Sequence, residues 1–293
     1  MNKFLRSLGD CAKGFLQVGT GDCEIKTLGD LTGFGLVRKS YKFTKEDLTA
    51  EGWKKLLKKN VVLPIRDIFN FEQNTPENET NTSPLGIMKL IRDGKPQFNF
   101  MIDKGLCTHK KLYDKKGIEW DLVLFFEKGM FLASDLDGEH AVGFDMSFYD
   151  VSTYKFQQGT DPEQTTITVQ FRDAHQFNME SYLVTWDKLG FNANRVNAPI
   201  QANLDVVAKE GTEIEVEVTQ YCNSDMTVLG LEEAGSWLVN GVKPSKVEFD
   251  TKTSKYKLTV STMTVSQNVV VELDGNDGRH DYKSTVTVKV VSA

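Results

Sequence analysis

Residues 204–218 read LDVVAKEGTEIEVEV, two apolar/polar alternations joined at Glu210-Gly211. Ile214, Val216 and Val218 would lie on one side of an extended chain and Glu213, Glu215 and Glu217 on the other, the period-two signature of a strand with one covered face. The same pattern recurs at strand length in Trp237–Val239, Val247–Phe249, Tyr256–Val260, Val269–Leu273 and Thr285–Val291. Turn signals at Asn240-Gly241, Asp250–Ser254 and Asp274–Gly278 separate them. Asn-Gly and Asp-Gly steps are what tight hairpins require. About seven strands in under a hundred residues predict an antiparallel immunoglobulin-like β-sandwich over 198–293. Asn197-Ala198-Pro199 marks its start, because a residue before proline is pushed out of the helical region.

Upstream, residues 1–197 predict a second domain of a different kind. The chain has 293 residues, enough for two cores. Its first forty residues are glycine-rich and broken, which predicts an extended arm carrying Phe15 and Leu16. A helix is expected near 49–59: Thr49 stands at the cap, Glu51 in the first turn, and Trp53, Leu56 and Leu57 on one face. Lys54, Lys55, Lys58 and Lys59 fill the opposite side and last turn. Such lysines are ordinarily a solvated face; the sharper reading is a docking surface for an acidic neighbour. Residues 71–83 are mostly polar, with almost nothing to bury, and predict a long mobile loop, with Asn74, Pro76, Asn78 and Asn81 as candidate assembly contacts. Asn78 and Asn81 also head formal glycosylation triplets, read as coincidence.

From Phe98 the chain predicts consecutive antiparallel strands: Phe98–Ile102, Trp120–Phe126, Met130–Ala133, Ala141–Tyr149, Tyr154–Gln157 and Thr165–Phe171. Residues 173–190 are ambiguous, and Phe177, Tyr182, Leu183 and Trp186 could line a helix. The fold class is therefore mainly β with minor α, an antiparallel sandwich or barrel-like domain followed by the second sandwich.

Composition excludes several classes. A net charge of -6 argues against a general nucleic-acid coat, which needs a dense basic face. No apolar run approaches the length of a membrane-spanning helix, and the first residues lack the pattern of a secretion signal. Cys11, Cys23, Cys107 and Cys222 form no C-x-x-C, so a reduced, cytoplasmic set is expected, with a Cys11–Cys23 bridge as the alternative. Asp135 and Asp137, beside His140, are weak metal candidates in what reads better as a hairpin turn. Cys107 and His109 lack the two further ligands zinc needs. No nucleophile motif and no complete phosphate-binding glycine pattern is present. No enzyme activity, cofactor or metal is expected. Trp120, Tyr149, Tyr154, Trp186 and Trp237 could form a ligand-binding aromatic surface but read better as core.

An arm, a polar loop and an appended sandwich are the parts of a polymerising subunit. The layout, together with DCAKGFLQVG at 10–19 and YKFQQGTDP at 154–162, resembles the tail tube (major tail) proteins of tailed bacteriophages. That resemblance implies a virion subunit assembled in the host cytoplasm. It implies a hexameric ring whose sheets close into an inner barrel, with arm and loop touching the adjacent ring and the added sandwich projecting outward. Partners would be further copies, other virion proteins and, transiently, DNA in the lumen, with no membrane. A capsid-decorating or tail-connecting virion protein, or a surface or carbohydrate-binding module, are the alternatives.

Overall fold

The computed structural model describes residues 29–135 and 139–292, which divide into two compact units at Val196/Asn197, one residue from the predicted seam. The N-terminal unit contains, in order, β1 (Leu31–Arg38), α1 (Ala50–Lys58), β2 (Val62–Arg66), β3 (Asn70–Gln73), β4 (Glu79–Thr82), β5 (Met88–Arg92) and β6 (Gln97–Ile102). There follow α2 (Gly105–Tyr113), β7 (Trp120–Phe126), β8 (Gly129–Ser134), β9 (Ala141–Val142), β10 (Phe144–Val151), β11 (Thr165–Phe171), α3 (Ala174–Met179), β12 (Ser181–Thr185) and α4 (Trp186–Leu189).

The run WDLVLFF of β7 has no alternation because both of its faces are covered. β1 pairs along its whole length, Leu31 opposite Phe126 and Arg38 opposite Trp120. On the other side, β10 takes its first half (Phe144 opposite Leu122) and β8 its second (Phe131 opposite Leu124). One face contributes Leu122 and Leu124 to a core with Phe34, Leu36, Phe98, Phe100, Phe144 and Phe171. The other face meets α1, whose fully buried Trp53 lies 6.2 Å from Phe125 and 5.9 Å from Phe43, centroid to centroid. The helix begins as its sequence requires: Thr49 accepts a hydrogen bond from the Gly52 amide, and Trp53, Leu56 and Leu57 are its buried residues. Beyond β10 the sheet continues through β11 and β6 to β3, antiparallel throughout.

Two expectations, for 71–83 and 154–157, are corrected, and the open reading of 173–190 is decided. Residues 71–83 are not a loop throughout: Phe71 pairs with Phe100 in β3–β6, and β4 pairs with β5 in a separate two-stranded hairpin. Polar side chains predicted a loop, but an extended backbone needs only a partner strand, which 88–92 supplies. Residues 173–190 form no continuous helix, because Ser181–Thr185 add a strand to β8 between two short helices. Tyr154–Gln157 make no strand, only an isolated bridge between Lys155 and Gln164.

The C-terminal unit comprises β13 (Ile200–Ala208), β14 (Gly211–Gln220), β15 (Asn223–Thr227), β16 (Trp237–Val239), β17 (Lys246–Asp250), β18 (Lys255–Met263), β19 (Asn268–Asn276) and β20 (Asp281–Lys289). The order is β16-β19-β20-β13-β14-β18-β17, with β15 paired to β14. β13 runs parallel to β20 at Ile200 and Gln201 and antiparallel to β14 from Ala202. Trp237, Tyr256, Leu258, Val269 and Val271 fill the core. The Trp237 indole N–H donates to the Leu231 carbonyl and the Tyr256 hydroxyl to that of Val228, so both buried polar tips are satisfied.

Candidate functional site

The β4–β5 hairpin is the feature that the rest of the fold does not account for. Glu79 pairs with Arg92, Thr80 with Leu90, Asn81 with Lys89 and Thr82 with Met88, and no strand pairs with either edge among the described residues. Its turn is Ser83-Pro84-Leu85-Gly86: the Gly86 amide donates to the Ser83 carbonyl at 2.8 Å, and φ at Gly86 is +77°, a left-handed value that glycine takes without strain. The base is closed by the Gly94 amide donating to Asn78 Oδ1 at 2.9 Å. A Cβ at Gly94 would stand 1.8 Å from the Pro76 carbonyl oxygen, so the two arms meet there through a residue without a side chain. Arg92 Nε and Glu79 Oε2, 2.5 Å apart, add an exposed ion pair.

Every side chain of both strands is exposed. Leu85, Ile87, Met88, Leu90 and Ile91 are between 56% and 87% exposed, five large apolar groups within seven residues. An isolated two-stranded hairpin is marginal in water, and large apolar side chains exposed on both of its faces are what a partner would cover. The turn Ser83–Gly86 before the apolar run Ile87–Ile91 carried this signal in the sequence.

The predicted candidates fall as follows. Asn74, Pro76, Asn78 and Asn81 lie exposed on or beside the hairpin. Lys54 and Lys55 are exposed on α1, Lys58 is half-buried there and Lys59 is exposed just past its end, an element separate from the hairpin. Phe15, Leu16, Cys11, Cys23 and Asp137 lie outside the described residues. Trp120 and Trp237 are buried core rather than an aromatic surface.

A second constellation is a polar island in the main sheet that sequence reasoning missed. Asp121 is buried in β7, where its Oδ2 accepts the Ser40 amide at 2.7 Å and its Oδ1 lies 3.0 Å from Lys39 Nζ. Lys39 also donates to Asp145 of β10, whose carboxylate is gripped by Arg172 Nε at 3.1 Å to both oxygens. Gln176 of α3 accepts the Asp145 amide at 3.0 Å and donates to the Ser134 carbonyl. Lys39, Ser40, Asp121, Asp145 and Gln176 line a cavity of about 270 Å³. Burial pushes the Asp121 carboxyl up, against the pull of the Ser40 amide and Lys39. Burial also opposes the charge on Lys39, but its hydrogen bonds to Asp145 and Asp121 outweigh that and its pKa is raised. The cluster works as a strut that ties the end of β1 to β7, β10 and α3.

Asp135 is likewise committed to its turn. It accepts the amides of Glu139 (2.9 Å) and His140 (3.2 Å), pairs with Lys42 at 3.0 Å and meets His140 Nδ1 at 3.1 Å. Burial alone would raise its pKa, yet these partners hold it well below the carboxylate range. Among the described residues no three His, Cys, Asp or Glu side chains are placed to hold a metal ion. Because the folded pKa is depressed, the stability Asp135 contributes is present above its ordinary value of 3.8 and is lost as pH falls through the folded value. Asp135→Ala is expected to lose about 1–3 kcal/mol at neutral pH, the deficit closing in acid. Thermal melts of both proteins across that range check it.

His109 is buried against Thr165 Oγ1 at 3.2 Å, and burial lowers its pKa. Its neighbour Cys107 is disulfide-bonded, as is Cys222, which removes a thiolate ligand and corrects the expectation of a reduced cysteine set. Cysteine pairing is a tertiary property that spacing along the chain does not reveal. Among the described residues no helix is long and apolar enough to cross a membrane. No protein-family model and no curated protein sequence matches the chain.

Proposed function

We propose that this chain is a structural subunit that assembles with copies of itself into rings or tubes, of the kind formed by tail tube proteins of tailed bacteriophages. The observation that carries the reading is the β4–β5 hairpin, whose five large apolar side chains stand more than half exposed among the described residues. Covering them against a neighbour contributes on the order of 1–3 kcal/mol per side chain fully buried. The order of magnitude suits an assembly made of many repeated contacts.

Two further features support it. The side of β3, β6 and β11 turned away from the core presents Asn70, Glu72, Gln97, Asn99, Met101, Thr166, Thr168 and Gln170, without lysine or arginine. DNA passes such a face without counterion-releasing contacts. The C-terminal unit is, in this reading, an appended immunoglobulin-like sandwich. Its support is the strand order: β13-β14-β18-β17 and β16-β19-β20 correspond to the ABED and CFG sheets of that architecture, β15 being an insertion. The subunit would act in a virion after assembly in the host cytoplasm, next to other virion proteins, in the hexameric rings that the family resemblance implies.

The test replaces residues 79–92 with a short glycine–asparagine turn. Light scattering after size exclusion, over a concentration series, and negative-stain microscopy are expected to show rings or tubes of constant diameter for the full chain. The shortened chain should stay monomeric with an unchanged melting temperature, since the removed strands touch no core. Assembly that survives the deletion unaltered would sink the proposal.

A further inference from the structure

We propose that Lys39 and Asp145 join covalently: the Lys39 amine attacks the Asp145 side-chain carbon, water leaves, and an amide cross-link closes between the end of β1 and β10, with Asp121 moving the protons. The reaction takes place within a single copy and holds whether or not copies assemble. The freshly folded chain carries the ion pair described above, and the amide replaces it with time.

Asp121 of β7 and Asp145 of β10 are direct partners across the two strands, so two carboxylates stand side by side on one face. Like charges so placed repel, and Lys39 Nζ answers both: it donates to Asp145 Oδ1 and lies 3.0 Å from Asp121 Oδ1. A nitrogen hydrogen-bonded to a carboxylate oxygen lies about 3–3.5 Å from the carboxylate carbon, the spacing of a near-attack pair.

The backbone holds both reactants in place. Lys39 sits in a tight turn closed by the Tyr41 amide on the Arg38 carbonyl at 3.1 Å, and the next residue, Ser40, takes a left-handed φ of +57° to give its amide to Asp121. The Asp145 amide donates to Gln176 Oε1, and its carbonyl accepts the Arg172 amide at 2.8 Å. Gly143 lets β10 approach this closely, since a Cβ there would stand 2.7 Å from that of Asp121. Reactants fixed in contact behave as if at about 10⁵–10⁸ M, which offsets the excess of water that otherwise drives an amide toward hydrolysis.

The chemistry balances without a further reagent: an ammonium and a carboxylate give a neutral amide and water. Asp121 takes a proton from the Lys39 ammonium, and the freed lone pair forms the C–N bond at Asp145 Cγ. One C–O bond of Asp145 then breaks with its electron pair, and that oxygen leaves as water with two of the three Nζ protons, each carried by Asp121. The third proton stays on the amide nitrogen, and Asp121 ends as it began. Its side chain is only 5% exposed, and burial raises its pKa against the pull of the Ser40 amide and Lys39, so it accepts a proton more readily than an ordinary aspartate. Arg172 Nε stands 3.1 Å from both Asp145 oxygens, where negative charge collects as the carbon becomes tetrahedral. Lys42 and Asp135, which line the same cavity, pair with one another at 3.0 Å and leave Lys39 to its two aspartates. The link straps β1 to β10 across β7, which lies between them.

The experiment incubates the folded full-length chain at neutral pH over days, then reduces, unfolds and weighs it by intact mass spectrometry. A species lighter by one water is expected to grow until it is the majority, and its tryptic digest should contain a branched peptide joining Lys39 to Asp145. Because the link closes a loop between residues 106 positions apart, the linked protein should melt about 10 °C higher than the fresh one. Lys39→Arg keeps the charge but should stay at full mass, and Asp121→Asn should slow linkage at least about 100-fold, with thermal melts confirming that both fold. A natural chain that melts cooperatively yet gives no branched peptide overturns the proposal, as does water loss confined to a single unbranched peptide. Linkage of Asp121→Asn at the natural rate overturns the role given to Asp121.

Discussion

Trp53→Ala is expected to lower the unfolding free energy by about 3–5 kcal/mol, the range for removing a large aromatic from a packed core. Trp53 is fully buried and stands between Phe43 and Phe125, so its removal empties the seam between α1 and the back of β7. The helix has no other hold of that size: its opposite side is lysine, and nine residues are too few to persist alone. The indole Nε1 is buried without a hydrogen-bond partner. Trp53→Phe therefore removes an unsatisfied donor as well as volume, and its loss should be well below that of Trp53→Ala. Urea titrations of the three proteins decide this. A loss under about 1 kcal/mol for the alanine variant, the size of an ordinary surface change, would show that α1 does not depend on this contact.

The second large effect is expected at Lys39. Lys39→Ala leaves Asp121 buried at 3% exposure with only the Ser40 amide to answer its charge, and a broken buried pair costs about 3–5 kcal/mol. The pH dependence fixes the mechanism. The folded pKa of Asp121 is raised, so the protonated form is the one folding favours. That contribution is full below the ordinary value of 3.8 and is lost as pH rises through the raised value. Without Lys39 the carboxyl rises further, so the variant's deficit should grow with pH above 3.8 and fade below it. Lys39 itself is raised from 10.5. Its contribution is present below 10.5 and lost as pH climbs through the folded value, so the wild type alone should weaken there. Urea midpoints measured near pH 3, 7 and 11 separate this from simple loss of packing, which would give a deficit independent of pH.

Both sites show how far the sequence could be read. Trp53 was legible because everything that places it is local: a threonine cap, an acid in the first turn and apolar residues at i, i+3 and i+4. The seam at 196/197 and β7 were legible for the same reason, proline and an unbroken apolar run being local signals. The strut was not. Lys39, Asp121, Asp145, Arg172 and Gln176 are brought together only by β1, β7 and β10 pairing across up to about a hundred residues, and no spacing announces it. The hairpin lies between these cases. Its polar half reads as loop by composition, and only the exposed apolar half, Leu85–Ile91, reveals a strand and an unmet need for cover.

The pairing of β1 has a consequence for synthesis on the ribosome. Gly33 meets Arg66 in β2, but Leu31 meets Phe126 in β7, about sixty residues later. At 5–20 residues per second, β1 and β2 wait roughly 3–12 s for the strand that completes them. Throughout that interval Phe34 and Leu36 have no opposite face, and one edge of β1 is open to any extended chain, including that of a nascent copy on the next ribosome. Crowded polysomes therefore favour strand exchange between neighbours, whereas sparse initiation gives each β7 time to reach its own β1.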